Sequence, residues 1–132
     1  MSDLIEIKLI SPKKGRGAIS KKLIPKGTVL EEAHICLLSE KDYGKIENTI
    51  LGNYIFDWND PEGDPEYRSA LAMSQAEFFN HSYAPNLQYI KDFKKQVIRF
   101  VAIRDINRGE EITINYNAIV DCKDPTWFEI ED

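Results

Sequence analysis

Phe78-Phe79-Asn80-His81-Ser82-Tyr83-Ala84-Pro85-Asn86 is the stretch that decides the fold of this chain. In it, two aromatic residues are followed immediately by side chains that form hydrogen bonds. Buried polar side chains are nearly always hydrogen-bonded. An Asn-His pair that directly follows apolar residues is therefore expected to have one of two roles. The pair either fixes a polar ligand or locks crossing loops together.

Three simpler roles for this stretch remain open from its residues alone. Asn80-His81-Ser82 matches an N-glycosylation acceptor, which needs a secreted chain that nothing in the sequence supports. His81 could be a histidine satisfied within the core, the common case for a lone histidine. His81 and His34 could bind a metal, although no neighbouring Cys, His or Asp has the spacing of a metal site.

Two further segments contain residues suited to ligand contact. Gly15-Arg16-Gly17 places two glycines around one residue, which lets backbone approach a ligand closely. Alone, this segment is more simply a flexible turn. Residues 109–117 form an acidic turn and a strand that ends on Tyr116, which taken alone is most simply a half-buried structural tyrosine.

Hydrophobic patterning predicts a mainly β chain. Strict alternation at residues 5–9 predicts a half-buried strand, and residues 11–17 predict a loop. Residues 24–30 and 106–112 share one spacing of apolar residues and glycine, which indicates one tight turn used twice. A helix is predicted to start at Ser39, with Tyr43, Ile46 and Ile50 on one face. A short aromatic strand at 53–58 is followed by an exposed loop at 59–65. Strands at 87–91 and 96–104 are joined by a turn at 92–95.

Composition limits the classes of function. The 132 residues are 42% apolar and 30% charged, which predicts one ordered domain. A formal charge of −5 disfavours direct nucleic-acid binding and suits a basic partner, although a mild acidic excess is more often only a solubility feature. Cys36 and Cys122 stand far apart, so we expect neither a disulfide framework nor a bound metal. No signal segment or membrane-length apolar run is found, so we expect no membrane partner and a cytoplasmic location, or a host nucleus if the protein is viral or an effector.

In order and spacing, the three segments resemble the SET-domain lysine methyltransferases. Those enzymes carry Gly-x-Gly near the N-terminus, Asn-His-Ser-x-x-Pro-Asn in the middle and Gly-Glu-Glu-Ile-Thr-x-x-Tyr near the end. The likeness covers about residues 5–128. It is greatest to the stand-alone SET proteins of large DNA viruses and bacteria, through Asn53-Tyr54-Ile55-Phe56 and Ala70-Leu71-Ala72.

The resemblance implies a mainly β SET domain of the β-clip type. Short strands would form small sheets beside one or two short helices. A C-terminal pseudoknot would bring Asn80, His81 and Tyr116 together. One domain would fill residues 1–132, with a core at about 5–117 and a segment at 118–132 that closes the cofactor site.

The resemblance also implies a site for S-adenosylmethionine, the methyl donor. Its cofactor-binding residues would be Lys14, Gly15, Arg16, Gly17, Asn80, His81, Trp127 and Phe128. Trp127 or Phe128 would cover the adenine ring, because a flat aromatic offers stacking area at low entropy cost. From the opposite face, the target lysine would enter a channel lined by Tyr54, Phe56, Ile114 and Tyr116.

Methyl transfer from a sulfonium to a neutral amine requires little help from charged residues. A dry channel beside the sulfonium would lower the pKa of the target lysine from roughly 10.4, and alignment would supply most of the acceleration. Tyr116 would be the catalytic residue, orienting the amine without acting as a base. Ile114 stands where the family usually has Phe or Tyr, which suggests room for two or three methyl groups.

The chain departs from the family pattern in two places. It lacks the cysteine-rich flanks that bind zinc in many SET proteins, and residues 74–76 replace a glycine-rich stretch. An active protein-lysine methyltransferase is still favoured, because Asn80, His81 and Tyr116 are all retained. The alternative is a catalytically silent SET fold that binds lysine-bearing peptides. A histone tail or another basic protein would be the partner, and the small size invites a homodimer.

Overall fold

The computed structural model of the chain describes residues 3–13 and 15–115. Strands dominate it, so the predicted mainly β class is confirmed. The elements, in chain order, are β1 (Ile5–Ser11), β2 (Gly15–Ser20), β3 (Val29–Leu38), α1 (Glu40–Ile46), the 3-10 helix η1 (Ile50–Tyr54), β4 (Ile55–Asp57), β5 (Ser69–Ala72), the 3-10 helix η2 (Gln75–Phe78), β6 (Asn80–His81), β7 (Leu87–Asp92), β8 (Val97–Ala102) and β9 (Glu111–Ile114). None of the described helices is long and apolar enough to cross a membrane.

The strands form two sheets. One has the order β1-β2-β9-β6 and the other the order β4-β5-β3-β8-β7. Among the described strand pairs, only β6 with β9 is parallel. The four-stranded sheet therefore joins the N-terminal strands to the Asn-His segment through β9.

The turn that the sequence uses twice brings its two copies together. Ile24 and Ile106 form an isolated antiparallel bridge, with each N–H donating to the other's carbonyl at 2.8 Å. Both isoleucines are fully buried. Gly27 and Gly109 occupy the same place in the two copies, and each has a positive φ, 91° and 86°, which glycine adopts without strain. The repeat is thus a paired structural element.

Aromatic packing anchors the approach to the Asn-His segment. Phe79, directly before β6, packs edge-on against Phe100 of β8 with ring centroids 5.3 Å apart. Phe79 and Phe100 are 1% and 0% exposed. Such rings bury large apolar areas and favour edge-to-face contact. The polar segment therefore begins from a fixed point in the core of the five-stranded sheet.

Several predicted elements are confirmed and two are corrected. The strand at 5–9, the strands at 87–91 and 96–104, and the helix start at Ser39 are all present, and the Ser39 hydroxyl accepts from the Asp42 N–H. The loop predicted over 11–17 is wrong in its second half, because a tight reversal lets β2 begin at Gly15. Ile50 is also not on the helix face: α1 ends at Ile46, and Ile50 is 72% exposed.

Candidate functional site

The site is built where β6 lies beside β9. Asn80 pairs with Thr113 and His81 with Ile114. The backbone N–H of Ser82 continues this ladder by donating to the Ile114 carbonyl at 2.8 Å. Two motifs that are distant in sequence therefore meet through backbone hydrogen bonds, as the predicted contact between crossing segments requires. The pseudoknot itself involves Tyr116, which lies outside the described residues.

Asn86, the last residue of the deciding stretch, locks this pairing from the side. Its Oδ1 accepts from the Thr113 backbone N–H at 2.9 Å, and its Nδ2 donates to the Glu111 carbonyl at 2.8 Å. The side chain is 1% exposed. The Asn86 side chain thus makes the hydrogen bonds to β9 that the backbone of a neighbouring strand would otherwise make. The sequence motif contains this residue but does not reveal its role.

Asn80 links three segments at one point. Its Nδ2 donates to the Glu111 carboxylate oxygen Oε2 at 2.8 Å and to the Arg16 carbonyl at 3.2 Å. The structure therefore brings together the predicted site residues Arg16, Gly17 and Asn80. It adds Glu111, which the sequence pattern presents only as part of an acidic turn.

The two positions beside Arg16 require glycine for different reasons. Gly15 has a φ of +72° at the reversal between β1 and β2, a conformation that side chains disfavour. Gly17 has ordinary backbone but no space: an added Cβ would lie 2.7 Å from Asn80 Nδ2 and 3.0 Å from Glu111 Oε2. Gly17 therefore lies in close contact with the side chains of Ile10, Asn80 and Glu111.

His81 and Ser82 are both buried. The His81 ring packs edge-on against Tyr83 with centroids 4.8 Å apart, and Ser82 Oγ accepts from the Ala84 N–H. His34 lies on β3, in the other sheet. Burial of His81 and Ser82 leaves this sequon without the exposed loop that a glycosylation acceptor occupies.

The channel residues that the structure describes come from both sheets and from η1. Ile114 is buried on β9, Phe56 lies on β4, and Tyr54 is 38% exposed at the end of η1. Phe56 packs edge-on against Tyr89, with ring centroids 5.2 Å apart. Their convergence into a channel depends on Tyr116 and stays a prediction. Four predicted site residues lie outside the described residues, namely Lys14, Tyr116, Trp127 and Phe128.

A half-buried carboxyl lies just before the site. Glu77, in η2, accepts from the Ala72 N–H through Oε1 at 3.2 Å. Its Oε2 is buried and has no hydrogen-bond partner within the part of the chain that the structure describes. Burial raises the pKa of Glu77 to about 8, and the hydrogen bond from Ala72 partly opposes that rise. Glu77 is therefore largely protonated at neutral pH.

We expect Glu77→Gln to stabilise the protein at alkaline pH. The folded chain keeps the Glu77 proton from the ordinary pKa of 4.5 up to about 8, while the unfolded chain releases it. Stability from this group is therefore full below pH 4.5 and is lost as the pH rises through 8. Glutamine keeps the acceptor for Ala72, so the free energy of unfolding at pH 8.5 should rise by about 1–2 kcal/mol after allowing for partial exposure.

Urea denaturation at pH 5.0 and pH 8.5 measures this difference. The two proteins should differ much less at pH 5.0, because this pH lies just above the ordinary pKa of 4.5 and most of the pH-dependent loss of stability occurs above it. Glu47→Gln, at an exposed carboxyl after α1, is the control and should show no such dependence on pH. An equal effect of Glu77→Gln at both pH values would contradict the buried, protonated state.

Comparison with known proteins gives one consistent result. The SET domain model matches residues 15–117. A Schizosaccharomyces pombe protein named "Histone-lysine N-methyltransferase, H3 lysine-37 specific" is 30% identical over 120 residues, covering 90% of this chain and 74% of that protein. The fold is similar to the crystal structure of a candidate histone methyltransferase of Plasmodium falciparum, with a TM-score of 0.66 at 22% identity over 88% of this chain and 95% of that one.

Proposed function

Because the chain belongs to the SET-domain family of protein-lysine methyltransferases, we propose that it transfers a methyl group from S-adenosylmethionine to a lysine of a basic protein. Histone tails are the first substrates to test. The formal charge of −5 suits a basic partner. The named substrate class of the Schizosaccharomyces pombe relative supports the same choice.

One observation carries the proposal: the convergence of Arg16, Asn80 and Glu111. The three residues come from the three segments whose order resembles the family, and Asn80 Nδ2 contacts the other two residues. A chance match of motifs would not predict that these segments touch. The contact also supports assigning the donor site to the strand β2 and the Asn-His segment.

The described residues fit the charged amino-acid end of the donor. Gly17 leaves no room for a side chain, and the Arg16 carbonyl and the Glu111 carboxylate make this corner rich in acceptors. A positively charged group is stabilised by such surroundings. Lys14 and Gly15 would add backbone contacts, His81 a peptide group for adenine, and Trp127 or Phe128 a stacking surface.

The chain's part in catalysis is desolvation and alignment. When bound, S-adenosylmethionine supplies a methyl group on a positively charged sulfur. The channel of Tyr54, Phe56, Ile114 and Tyr116 would exclude water, which favours the neutral amine of the target lysine. The Tyr116 hydroxyl would orient that amine toward the methyl group.

The first test is binding of S-adenosylmethionine by calorimetry, followed by transfer of a labelled methyl group to histone and ribosomal peptides. Wild type should bind the donor and label lysine. Tyr116→Phe should keep donor binding and lose about 100-fold or more in transfer rate, as expected when one transition-state hydrogen bond is removed. Mass spectrometry of the product counts the methyl groups added.

Tyr67→Phe is the matched control, since Tyr67 is a tyrosine that is 40% exposed in the loop before β5. It should retain wild-type transfer. A wild-type protein that binds no donor would contradict the proposal. Binding of lysine peptides without transfer would instead support a catalytically silent SET fold.

A further inference from the structure

We propose that the protein forms a symmetric dimer in which strand β1 of one copy pairs antiparallel with β1 of a second copy. Ile7 lies opposite Ile7 of the partner subunit, and Glu6 lies opposite Lys8 of the partner subunit. The two four-stranded sheets then join into one continuous sheet. The inference concerns assembly and does not depend on the proposed methyl transfer.

Strand β1 is an edge strand whose backbone can accept a further strand. It ends the order β1-β2-β9-β6, and β2 is its only neighbour among the strands that the structure describes. Along a strand, backbone N–H and C=O groups of successive residues point alternately to one neighbour and to the other. The Leu4 carbonyl accepts from the Lys21 N–H, so Leu4 faces β2. Ile5, Ile7 and Leu9 therefore direct their backbone groups away from β2.

The hydrogen bonds of β2 give the same orientation independently. Ile5 is paired with Ser20, and Leu9 is paired with Arg16. The Ser20 carbonyl accepts from a backbone N–H just before β9, and the Arg16 carbonyl accepts from Asn80 Nδ2. Both carbonyls therefore point away from β1. Opposite residues of an antiparallel pair either bond each other or both face outward, so Ile5 and Leu9 face outward.

Two exposed charges select one register for a second copy of β1. Glu6 and Lys8 are both exposed on this strand. When the twofold axis passes through Ile7, each Glu6 lies opposite Lys8 of the partner subunit. Centring the pair on Glu6 or on Lys8 would set like charges directly opposite each other, which is destabilising. The strand is therefore complementary to itself in the register centred on Ile7, as a twofold interface requires.

An exposed leucine favours the same register. Leu9 is 62% exposed, although it shares a face of the strand with Ile5, which is 2% exposed. Pairing centred on Ile7 sets Leu9 opposite Ile5 of the partner subunit and covers its side chain. Contact along one short strand buries less than about 1,200 Å², the size of weak and reversible interfaces. We therefore expect a dissociation constant in the micromolar range.

Sedimentation equilibrium over a range of protein concentrations tests the dimer. The mass of wild type should rise from one chain to two. Glu6→Lys and Lys8→Glu each replace opposite charges with like charges, so each variant should dimerise at least about tenfold more weakly. An equal mixture of the two variants should recover the wild-type association, because every changed charge then lies opposite its complement.

Lys41→Glu and Glu47→Lys are the matched controls, since both positions are exposed at α1 and change the net charge by the same amounts. Each should dimerise as wild type does. A loss equal to that of the β1 variants would show that net charge governs association, and would overturn the proposal. A wild type that stays monomeric throughout, or a mixture that does not associate, would overturn it as well.

Amide hydrogen exchange measured by NMR locates the contact. The N–H groups of Ile5, Ile7 and Leu9 should exchange more slowly as the protein concentration rises. Those of Glu6 and Lys8 face β2 in every copy and should show no such dependence. A dimer in which the outward amides of β1 keep a constant exchange rate would use another surface and would contradict the proposal.

Discussion

Asn86→Ala is expected to lower the free energy of unfolding by about 2–4 kcal/mol, because it leaves two buried backbone groups without partners. Those groups are the Thr113 N–H and the Glu111 carbonyl, at 2.9 Å and 2.8 Å from the Asn86 amide. Alanine offers neither a donor nor an acceptor. The side chain is also 1% exposed, so water cannot reach these groups without opening the strand.

Urea denaturation followed by circular dichroism measures this loss. Asn48→Ala is the matched control, because Asn48 is exposed after α1 and should change stability by less than about 0.5 kcal/mol. Donor binding should fall in parallel with stability, since β9 carries Glu111. A stable Asn86→Ala protein would show that β9 needs no side-chain partner.

Gly17→Ala should produce the second large effect, on both stability and donor affinity. The added Cβ would lie 2.6 Å from Ile10 Cγ1, 2.7 Å from Asn80 Nδ2 and 3.0 Å from Glu111 Oε2. Real Cβ atoms essentially never approach other atoms closer than 3.0 Å, so the side chains of Ile10 and Asn80 must shift, and Asn80 is a proposed contact of the donor. Overpacking of this kind lowers stability by about 1–3 kcal/mol. Affinity for S-adenosylmethionine should fall at least tenfold.

Gly44→Ala provides the control for Gly17→Ala. Gly44 lies within α1, and an added Cβ would meet no atom within 4 Å. Alanine favours the helix over glycine, so this variant should be more stable by about 0.5–1 kcal/mol. Calorimetry should show its donor affinity unchanged. Unchanged donor affinity in Gly17→Ala would contradict the close packing at Asn80.

Local sequence patterns predicted the parts of the fold that are themselves local. The strands on either side of the turn at 92–95 and the helix start at Ser39 are confirmed, because hairpins and helix starts depend on neighbouring residues. Val29–Leu38 was not predicted. A register shift between Val29 and Glu31 breaks the alternation that marks a strand, and leaves Leu30 and Ala33 buried three positions apart.

The resemblance predicts several residues of the site but not the contacts between them. The resemblance selected Arg16, Gly17 and Asn80, and the structure brings them together. It did not select Glu111 or Asn86, because their roles come from contacts with residues far away in sequence. The sequence also gives no sign that the Glu77 carboxyl is partly buried, since the composition of Gln75-Ala76-Glu77 is typical of an exposed turn.

The position of β9 also has a consequence for how the protein folds. This strand pairs with β2, where Ala18 meets Ile112, and with β6, where Asn80 meets Thr113. Contacts between residues so far apart form slowly, because a long chain must lose entropy before they gain energy. During synthesis the ribosome must release residues up to β9 before the site can assemble. We therefore expect the donor site to be absent from partly synthesised chains and to form late in refolding.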